Sequence, residues 1–210
     1  MTRPVARPNR GGPPGQQRRQ ATQQTGCTDD IQRYLRALFE RDEPGAVIEV
    51  RYRQGDGMRS AFFAHTDTTT AASTIVRLAT ATDVYVGVAP RVRRAGGRDA
   101  IERVWSLWAD LDDADAATAL DHLPVAPAIR IASGSPGHLH AYWPLQQPIG
   151  VLEAEAANRR LAAELGADGG AVTNAATILR PLSVGGGRAH RDGPACSFED
   201  ASSNGRGDGT

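Results

Sequence analysis

The sequence predicts an α+β fold, in which an antiparallel or mixed sheet is flanked by helices. The first observation is a β-hairpin signal: two alternating segments, residues 46–53 and 58–65, meet at a Gly-Asp-Gly turn. The second is a set of short apolar segments among helical patterns, without the regular strand and helix repeat of a parallel sheet. The third is an amphipathic pattern over residues 151–165, directly after two neighbouring strand patterns. Hairpins among helices favour the α+β class.

The first half of the chain is predicted to form a helix, the hairpin, a second helix and a buried strand. Thr28-Asp29-Asp30 offers the side-chain oxygens that cap a helix start. Apolar side chains then recur at helical spacing as far as Pro44: Ile31, Tyr34, Leu35 and Leu38. After the hairpin, residues 71–79 have helical periodicity, and residues 84–88 (VYVGV) have the pattern of a buried strand.

The second half is predicted to alternate strands with two helices. Strands are expected at residues 105–111, 128–132, 139–143 and 175–179, with a short helix at 114–122. The strongest helical pattern covers residues 151–165, and its apolar face is expected to carry Leu152, Ala156, Leu161 and Leu165. The aromatic residues of the strands are expected in the core and not as stacking platforms for bases: Trp105, Trp108, Tyr142 and Trp143.

Length and composition predict one globular domain between two tails. The 210 residues are 40% hydrophobic and carry no formal net charge, which is enough apolar material for one core. Residues 1–26 are rich in Pro, Gly, Gln and Arg and contain no acidic residue, so a disordered basic tail is expected there. Residues 183–210 are glycine-rich with few apolar side chains, so a second disordered tail is expected. The domain would then cover residues 27–182.

The sequence contains no signal for membrane insertion or secretion. No run approaches the roughly 18 apolar residues that cross a bilayer, and the N-terminus lacks the apolar core of a signal peptide. Cys27 and Cys196 lie far apart, a spacing that fits neither a zinc knuckle nor a disulfide framework. We therefore expect a cytoplasmic protein. The chain contains no lysine, so any cationic side chain at a site is an arginine, which stays charged.

The main chemical signal is a pair of carboxylates at the end of the apolar segment VWSLWADLD. Strand residues point alternately to opposite faces, so Asp110 and Asp112 share one face while Ala109 and Leu111 share the other. Their Cα atoms would lie roughly 6.5–7 Å apart, a spacing at which two carboxylates can converge on one or two divalent cations. Without a positive partner the pair would repel itself, so such a partner is expected.

A second signal follows in residues 133–143, SGSPGHLHAYW. Small residues and backbone N–H groups between two strands can approach a phosphate closely. His140, on the strand that follows, could donate a hydrogen bond to a phosphate oxygen, and the alternative for a histidine in a strand is a structural role. A third segment, ILRP at residues 178–181, completes the set.

Together these segments resemble the archaeo-eukaryotic primase superfamily, in particular the RepB-like DNA primase and primase-polymerase domains of plasmids and phages. The resemblance extends from about Val84 to Arg180, through VYVGVAPR, VWSLWADLDD, IRIASGSPGHLHAYWPL, ANRRLAAELGAD and ATILRP. It implies a catalytic core whose sheet is similar to that of RNA-recognition domains and is flanked by helices. It also implies nucleotidyl transfer on a single-stranded DNA template: a 3′-hydroxyl attacks the α-phosphate of a nucleoside triphosphate and pyrophosphate leaves.

The resemblance implies a metal site. Asp110 and Asp112 would be catalytic and would hold Mg²⁺ or Mn²⁺, ions that prefer hard oxygen ligands. The family has a third acidic residue on a neighbouring strand, and here the match is poor. Asp168 is the candidate for this metal ligand, although it precedes the predicted strand and Asn174 lies nearer to it.

The resemblance also implies a nucleotide site. His140 would be catalytic and contact the incoming nucleotide, and its place before Ala-Tyr-Trp fits the family pattern better than that of His138. Ser133 or Ser135 would be the serine of the same motif. Arg180 would bind the triphosphate together with them, since the planar guanidinium suits phosphate.

The C-terminal part departs from the family pattern. A Pro-Gly-Thr or similar turn is expected after Leu-Arg-Pro, whereas this sequence continues as Leu182-Ser183-Val184 into a glycine-rich tail. A frameshifted or truncated C-terminus would explain the departure, and part of the triphosphate-binding surface would then be missing. The sequence has no Gly-x-x-x-x-Gly-Lys-Ser/Thr phosphate loop, so a helicase in trans or a missing C-terminal region would have to unwind the template.

Two other functions remain open at this point. His138-Leu139-His140 is a histidine, hydrophobic, histidine triplet of the type with which rolling-circle replication endonucleases bind a metal. Those enzymes also need a nucleophilic tyrosine on a helix, whereas Tyr142, the only tyrosine after the triplet, lies in the same predicted strand. The non-enzymatic alternative is a catalytically degenerate remnant that binds nucleic acid, and the intact pair of aspartates argues against it.

Overall fold

The structure of the chain is a computed structural model that describes residues 14–112, 114–132, 138–167, 173–181 and 198–200. Its α-helices are α1 (Pro14–Phe39), α2 (Thr68–Ala79), α3 (Ala114–Ala119) and α4 (Val151–Leu165). Its strands are β1 (Val47–Gln54), β2 (Gly57–Ala64), β3 (Val84–Gly87), β4 (Arg103–Leu111), β5 (Ile129–Ala132), β6 (Leu139–Gly150), β7 (Ile178–Leu179) and β8 (Phe198–Asp200).

The strands form two four-stranded sheets, and within each sheet all neighbouring strands are antiparallel. The first sheet has the order β2-β1-β3-β7, and the second has the order β4-β6-β5-β8. The predicted hairpin is confirmed: β1 and β2 pair along their whole length around Gly55, whose φ of 59° suits a residue without a Cβ. The architecture confirms the α+β fold.

The larger of two hydrophobic clusters joins the two sheets to helices α1 and α2. The first sheet contributes Ile48 and Val86, and the inner face of the second contributes Trp108 and other buried residues. The outer face of the second sheet, with Leu111 and Trp143, packs in a separate cluster that includes Leu165 of α4. Burial of side chains of this size stabilises the fold by about 1.5–3 kcal/mol each. The predicted core positions of Trp108, Tyr142 and Trp143 are confirmed.

Helix α4 has the predicted bounds, and its buried face differs from the expected one in part: Leu165 is buried as expected. Leu152, expected in the core, is 75% exposed, whereas Glu155 and Asn158 are buried. Both polar side chains accept hydrogen bonds, which offsets part of the cost of their burial. The Oδ1 atom of Asn158 accepts a hydrogen bond from the backbone N–H of Trp108 at 3.1 Å, and Glu155 bonds to Arg98 and Ala175. The expected apolar face is therefore wrong at Leu152, because tertiary hydrogen bonds decide which face of the helix is covered.

Three expectations about the ends of the chain differ from the structure. Residues 14–26, expected in a disordered tail, extend α1, because a docked helix propagates into good helix formers such as Gln and Arg. Within the second expected tail, β8 pairs with the edge of β5, while residues 1–13, 182–197 and 201–210 lie outside the described residues. Cys27 is disulfide-bonded, so the expectation of no disulfide is wrong for it: separation along the sequence does not set separation in space.

No helix in the described ranges combines the length and the apolar character that a membrane span needs.

Candidate active site

The predicted pair of aspartates lies in an open cleft of about 220 Å³ between the two sheets. The end of β4 and the start of β6 form one wall, and β3 with the segment after β7 forms the other. The second sheet thus supplies the carboxylates and the histidines, and the first supplies an aromatic ring and a guanidinium. The residues that line the cleft are Tyr85, Asp110, Asp112, His138, His140, Ile178, Leu179 and Arg180.

The register between β4 and β6 places Asp110 directly opposite His140. Side chains of directly paired strand residues point to the same face, so the carboxylate and the imidazole meet. The Oδ1 atom of Asp110 lies 3.2 Å from the Nε2 atom of His140. His140 is only 5% exposed at its side chain, and it is one of the residues that line the cleft. The sheet therefore fixes the geometry of the pair.

The other ring nitrogen of His140 is held by the opposite wall of the cleft. Its Nδ1 atom lies 3.1 Å from the backbone carbonyl oxygen of Arg180. Because a carbonyl only accepts hydrogen bonds, Nδ1 carries a hydrogen and donates it. This bond leaves Nε2 turned toward Asp110 and the cleft, which orients the imidazole for contact with a ligand there.

Asp112 has a histidine partner of its own, which the sequence did not predict. The Nδ1 atom of His138 lies 2.9 Å from the Oδ1 atom of Asp112, and this carboxylate is 66% exposed. The sequence predicts His140 as the site histidine in preference to His138, and the structure brings both rings into the cleft. Each of the two carboxylates thus lies within 3.2 Å of an imidazole nitrogen, and the i, i+2 spacing in both strands is the signal that could have indicated this pairing.

Arg180 lies at the rim of the cleft on the side of the first sheet. Its Nη2 atom is 3.4 Å from the Oδ1 atom of Asp83, and its guanidinium carbon lies 5.6 Å from the centre of the Tyr85 ring. Both charged side chains are about half exposed. The sequence did not predict Asp83 or Tyr85 at the site, although alternation in VYVGV separates Tyr85 from its buried neighbours Val84 and Val86.

A buried carboxylate holds the segment that carries Arg180. The Oε1 atom of Glu155 on α4 accepts hydrogen bonds from the Ala175 backbone N–H at 3.1 Å and from the Nε atom of Arg98 at 2.8 Å. The hydrogen bonds from Arg98 outweigh burial and hold the pKa of Glu155 below its usual range. Glu155 is therefore a charged anchor that joins α4 to the 173–181 segment.

Three residues of the predicted site lie outside the described residues. Ser133, Ser135 and Asp168 stay predictions, and the structure assigns them no position. Within the ranges that the structure describes, no group of three or more His, Cys, Asp or Glu side chains converges as a metal site. Asp110, Asp112, His140 and Arg180 are the predicted residues that it brings together.

Known protein structures with a similar fold are found among primases and primase-polymerases. No family model and no curated protein matches the chain. Among solved structures, it is similar to the AEP domain of the primase-polymerase of cyanophage S-2L, with a TM-score of 0.58 and 23% identity over 82% of this chain and 89% of that one.

Two structures of the primase RepB′ have a similar fold. In the first, the TM-score is 0.58 at 17% identity, and the match covers 83% of this chain and 56% of the RepB′ chain. In the second, the catalytic domain in complex with initiator DNA, the TM-score is 0.57 at 18% identity over 83% of this chain and 84% of that domain. The two antiparallel sheets, the cleft between them and these likenesses show that the chain has the fold of primase and primase-polymerase catalytic domains.

Proposed function

We propose that this chain is a DNA primase or primase-polymerase, a metal-dependent nucleotidyltransferase that joins nucleotides on a single-stranded DNA template. The observation that carries the proposal is the cleft in which Asp110 and Asp112 meet His140 and Arg180, in a chain with the primase fold. Carboxylates for cations beside an imidazole and a guanidinium for phosphate are the groups that such a transfer needs. Replication of a plasmid, phage or other mobile element is the setting that we propose, and one of the similar structures is that of a cyanophage protein.

The donor set of the cleft fits Mg²⁺ or Mn²⁺. Asp110 and Asp112 offer carboxylate oxygens, the ligands that these hard cations prefer, and the exposure of Asp112 lets a hydrated ion enter with part of its water shell. Water and substrate phosphate would complete the coordination, and Asp168 is the proposed third protein ligand. When bound, two ions would supply the positive charge that stabilises the attacking 3′-oxygen and the departing pyrophosphate.

The remaining residues of the cleft would bind and orient the triphosphate. His140, fixed by the Arg180 carbonyl, presents Nε2 to the ligand, and in its protonated form the ring donates from Nδ1 to that carbonyl and from Nε2 to a phosphate oxygen. The Arg180 guanidinium, held only weakly at 3.4 Å from Asp83, can turn to phosphate oxygens at the rim. Ser133 and Ser135 are proposed for the same triphosphate, and unwinding of the template is proposed to come from a helicase in trans.

The structure disfavours the rolling-circle endonuclease. That reaction needs an accessible tyrosine hydroxyl, whereas Tyr142 is fully buried. Its hydroxyl lies 3.1 Å from that of Tyr34 on α1, and burial raises its pKa well above the usual value, which opposes formation of a nucleophilic phenolate. A nucleic-acid-binding remnant without catalysis is separated from an enzyme by the experiment that follows.

The decisive experiment is primer synthesis and extension on single-stranded DNA with labelled nucleotides and Mg²⁺ or Mn²⁺. The test variant is Asp110→Asn plus Asp112→Asn, which keeps the size of both side chains. The control is Asp115→Asn plus Asp121→Asn, which removes two carboxylates from exposed positions just after the same strand. We expect the control to retain activity and the test variant to lose roughly a hundredfold or more, because charge stabilisation of the transition state is lost.

Each alternative gives a different result. Activity that survives in the test variant would refute the assignment of the two aspartates. A folded wild-type protein that binds single-stranded DNA and metal but yields no product would refute the enzyme and favour the non-catalytic remnant. Nicked circular DNA with covalently attached protein would favour the endonuclease.

A further inference from the structure

One face of the first sheet is open and continues from the cleft. Alternate residues of its strands point into the core, among them Ile48 and Val86. The residues between them point to the other face, where Arg53 and Ser60 are exposed and Tyr85 is partly exposed. This face points away from the core. Its residue Tyr85 also lines the wall of the cleft.

Strand register aligns four side chains of this face in a row across the sheet. Arg51 of β1 pairs with Ser60 of β2 on one side and with Tyr85 of β3 on the other. Arg180, just after β7, lies over the Tyr85 ring. Neighbouring strands are about 4.8 Å apart, so the row spans roughly 14 Å. We call Ser60, Arg51, Tyr85 and Arg180 the open row, and its last two members line the cleft.

The surroundings of the open row are basic on one side and covered on the other. The covered side is the loop that follows β3: Glu49 is fully buried beneath it, and a Cβ on Gly96 would collide with the Glu49 carboxylate and with Arg51. Arg51 shares the single carboxylate of Glu49 with the buried Arg91, so this trio keeps one net positive charge. On the uncovered side, Arg53 is exposed and forms no ion pair with any other described residue.

We propose that the open row, with Arg53 and the 43% exposed Met58 beside it, binds the single-stranded template next to the cleft. Arg51 and Arg53 contact phosphates, and the Tyr85 ring stacks on a base. A four-stranded sheet with aromatic and basic side chains on its open face can hold two or three nucleotides of a single strand. The basic charge complements the phosphates, and continuity with the cleft directs the strand toward Asp110. The identification of the strand as template rests on the proposed function.

The test measures binding of a fluorescent oligothymidylate by anisotropy in EDTA, where no transfer can occur. Arg53→Glu is compared with Arg59→Glu, a matched charge reversal. Arg59 of β2 pairs with Tyr52, the residue before Arg53 in β1, so its side chain points to the other face of the sheet. We expect Arg53→Glu to raise Kd by roughly tenfold and to reduce the slope of log Kd against log salt by about one phosphate contact. Arg59→Glu should change Kd by about twofold or less.

The ring of Tyr85 provides a second, independent arm. Tyr85→Leu should raise Kd by roughly fivefold or more, and Tyr85→Phe should restore binding because the stacking surface returns. Template KM in the extension assay should follow the same order while nucleotide KM is unchanged for the Arg53 variant.

Equal Kd values for the Arg53 and Arg59 variants, or no binding by the wild-type protein, would overturn the proposal. Equal losses in Tyr85→Leu and Tyr85→Phe would do so as well. Face-specific DNA binding without any polymerisation would support the open row and refute the primase. Polymerisation that is indifferent to Arg53 would refute the open row alone.

Discussion

Removal of the Glu49 charge tests how the first sheet is held together. The side chains of Glu49 and Arg91 are both fully buried, and Oε2 of Glu49 accepts from Nε and Nη2 of Arg91 at 3.1 and 2.9 Å. Oε1 of Glu49 accepts from Arg51 and from the Ser60 hydroxyl. Arg91 has the Ala89 carbonyl as a further partner but no second carboxylate among the described residues. Glu49→Gln keeps the shape and leaves a buried guanidinium without a counter-charge.

Replacement of Glu49 and replacement of Arg91 should lower the free energy of unfolding by different amounts. An uncompensated charge left by breaking a buried pair destabilises a protein by about 3–5 kcal/mol, and we expect a value in this range for Glu49→Gln. Arg91→Met should cost less, about 2 kcal/mol, because Glu49 keeps the charged hydrogen bonds of Arg51. The double variant should cost less than the sum of the two, by about 0.5–3 kcal/mol of coupling.

The pH dependence gives the same prediction an independent check. Burial acts to raise the pKa of Glu49, but the hydrogen bonds and charges of Arg51 and Arg91 outweigh it and hold the pKa below its usual range. A carboxyl with a lowered pKa in the folded state contributes stability above its unfolded pKa and loses it as the pH falls through the folded value. The deficit of Glu49→Gln should therefore be complete at neutral pH and shrink in acid.

Urea unfolding followed by circular dichroism measures these differences as shifts of the midpoint at constant m. A Glu49→Gln variant within roughly 1 kcal/mol of the wild type at neutral pH, the value of an exposed pair, would refute the reasoning. An Arg91→Met variant that is as unstable as Glu49→Gln would refute the asymmetry.

Three further predictions concern other buried groups. Burial raises the pKa of Asp42 to about 7 although Trp105 donates a hydrogen bond to it, so the wild type should lose stability as the pH rises from about 4 to about 7. Asp42→Asn should therefore have a higher melting temperature than the wild type at pH 8 and nearly the same one at about pH 4. Tyr142→Phe leaves the Tyr34 hydroxyl buried and unpaired, which should cost about 1–3 kcal/mol in urea unfolding, whereas the double Tyr→Phe variant should cost less. Glu155→Ala should lower kcat for primer extension because it releases the 173–181 segment, and Glu155→Gln should recover part of the loss because its amide oxygen still accepts from Ala175.

Each of these predictions has a result that contradicts it. If the difference in melting temperature between the wild type and Asp42→Asn is the same at both pH values, the prediction for Asp42 is wrong. Additive costs of the two Tyr→Phe changes would show that the hydroxyls do not depend on each other. Equal activity of Glu155→Ala and Glu155→Gln would remove the positioning role, provided both variants keep wild-type unfolding midpoints.

The fold was predictable where local chemistry dictates it. The hairpin turn and the bounds of α4 follow from glycines and from amphipathic spacing inside the segments themselves. The length of β6 does not: it was expected to end at Trp143 but continues to Gly150, because a register shift in β4 between Val104 and Ser106 lets the two strands pair again. Such an extension depends on the partner strand, which a local pattern does not contain.

The site was predictable in part for the same reason. Alternation along β4 placed Asp110 and Asp112 on one face, and the resemblance added His140. The contribution of the first sheet was hidden, because Tyr85 meets Arg180 through the pairing of β3 with β7, more than 90 residues further along the chain. No local pattern indicates which strands will be neighbours at that separation.

The short length of β7 makes the wall around Arg180 the most easily perturbed part of the cleft. Among the described residues of the 173–181 segment, Ile178 and Leu179 alone pair with β3, and one further bond joins the Val88 N–H to the Thr177 carbonyl. The opposite wall, by contrast, is the long β4 and β6 pairing. The bond from Ala175 to Glu155 therefore carries a large share of the anchoring, although it lies outside the cleft. Because the Arg180 carbonyl also orients His140, a loosened 173–181 segment would misplace both phosphate-binding groups while the aspartates stay fixed. Loss of this anchor should accordingly reduce transfer with little effect on global stability.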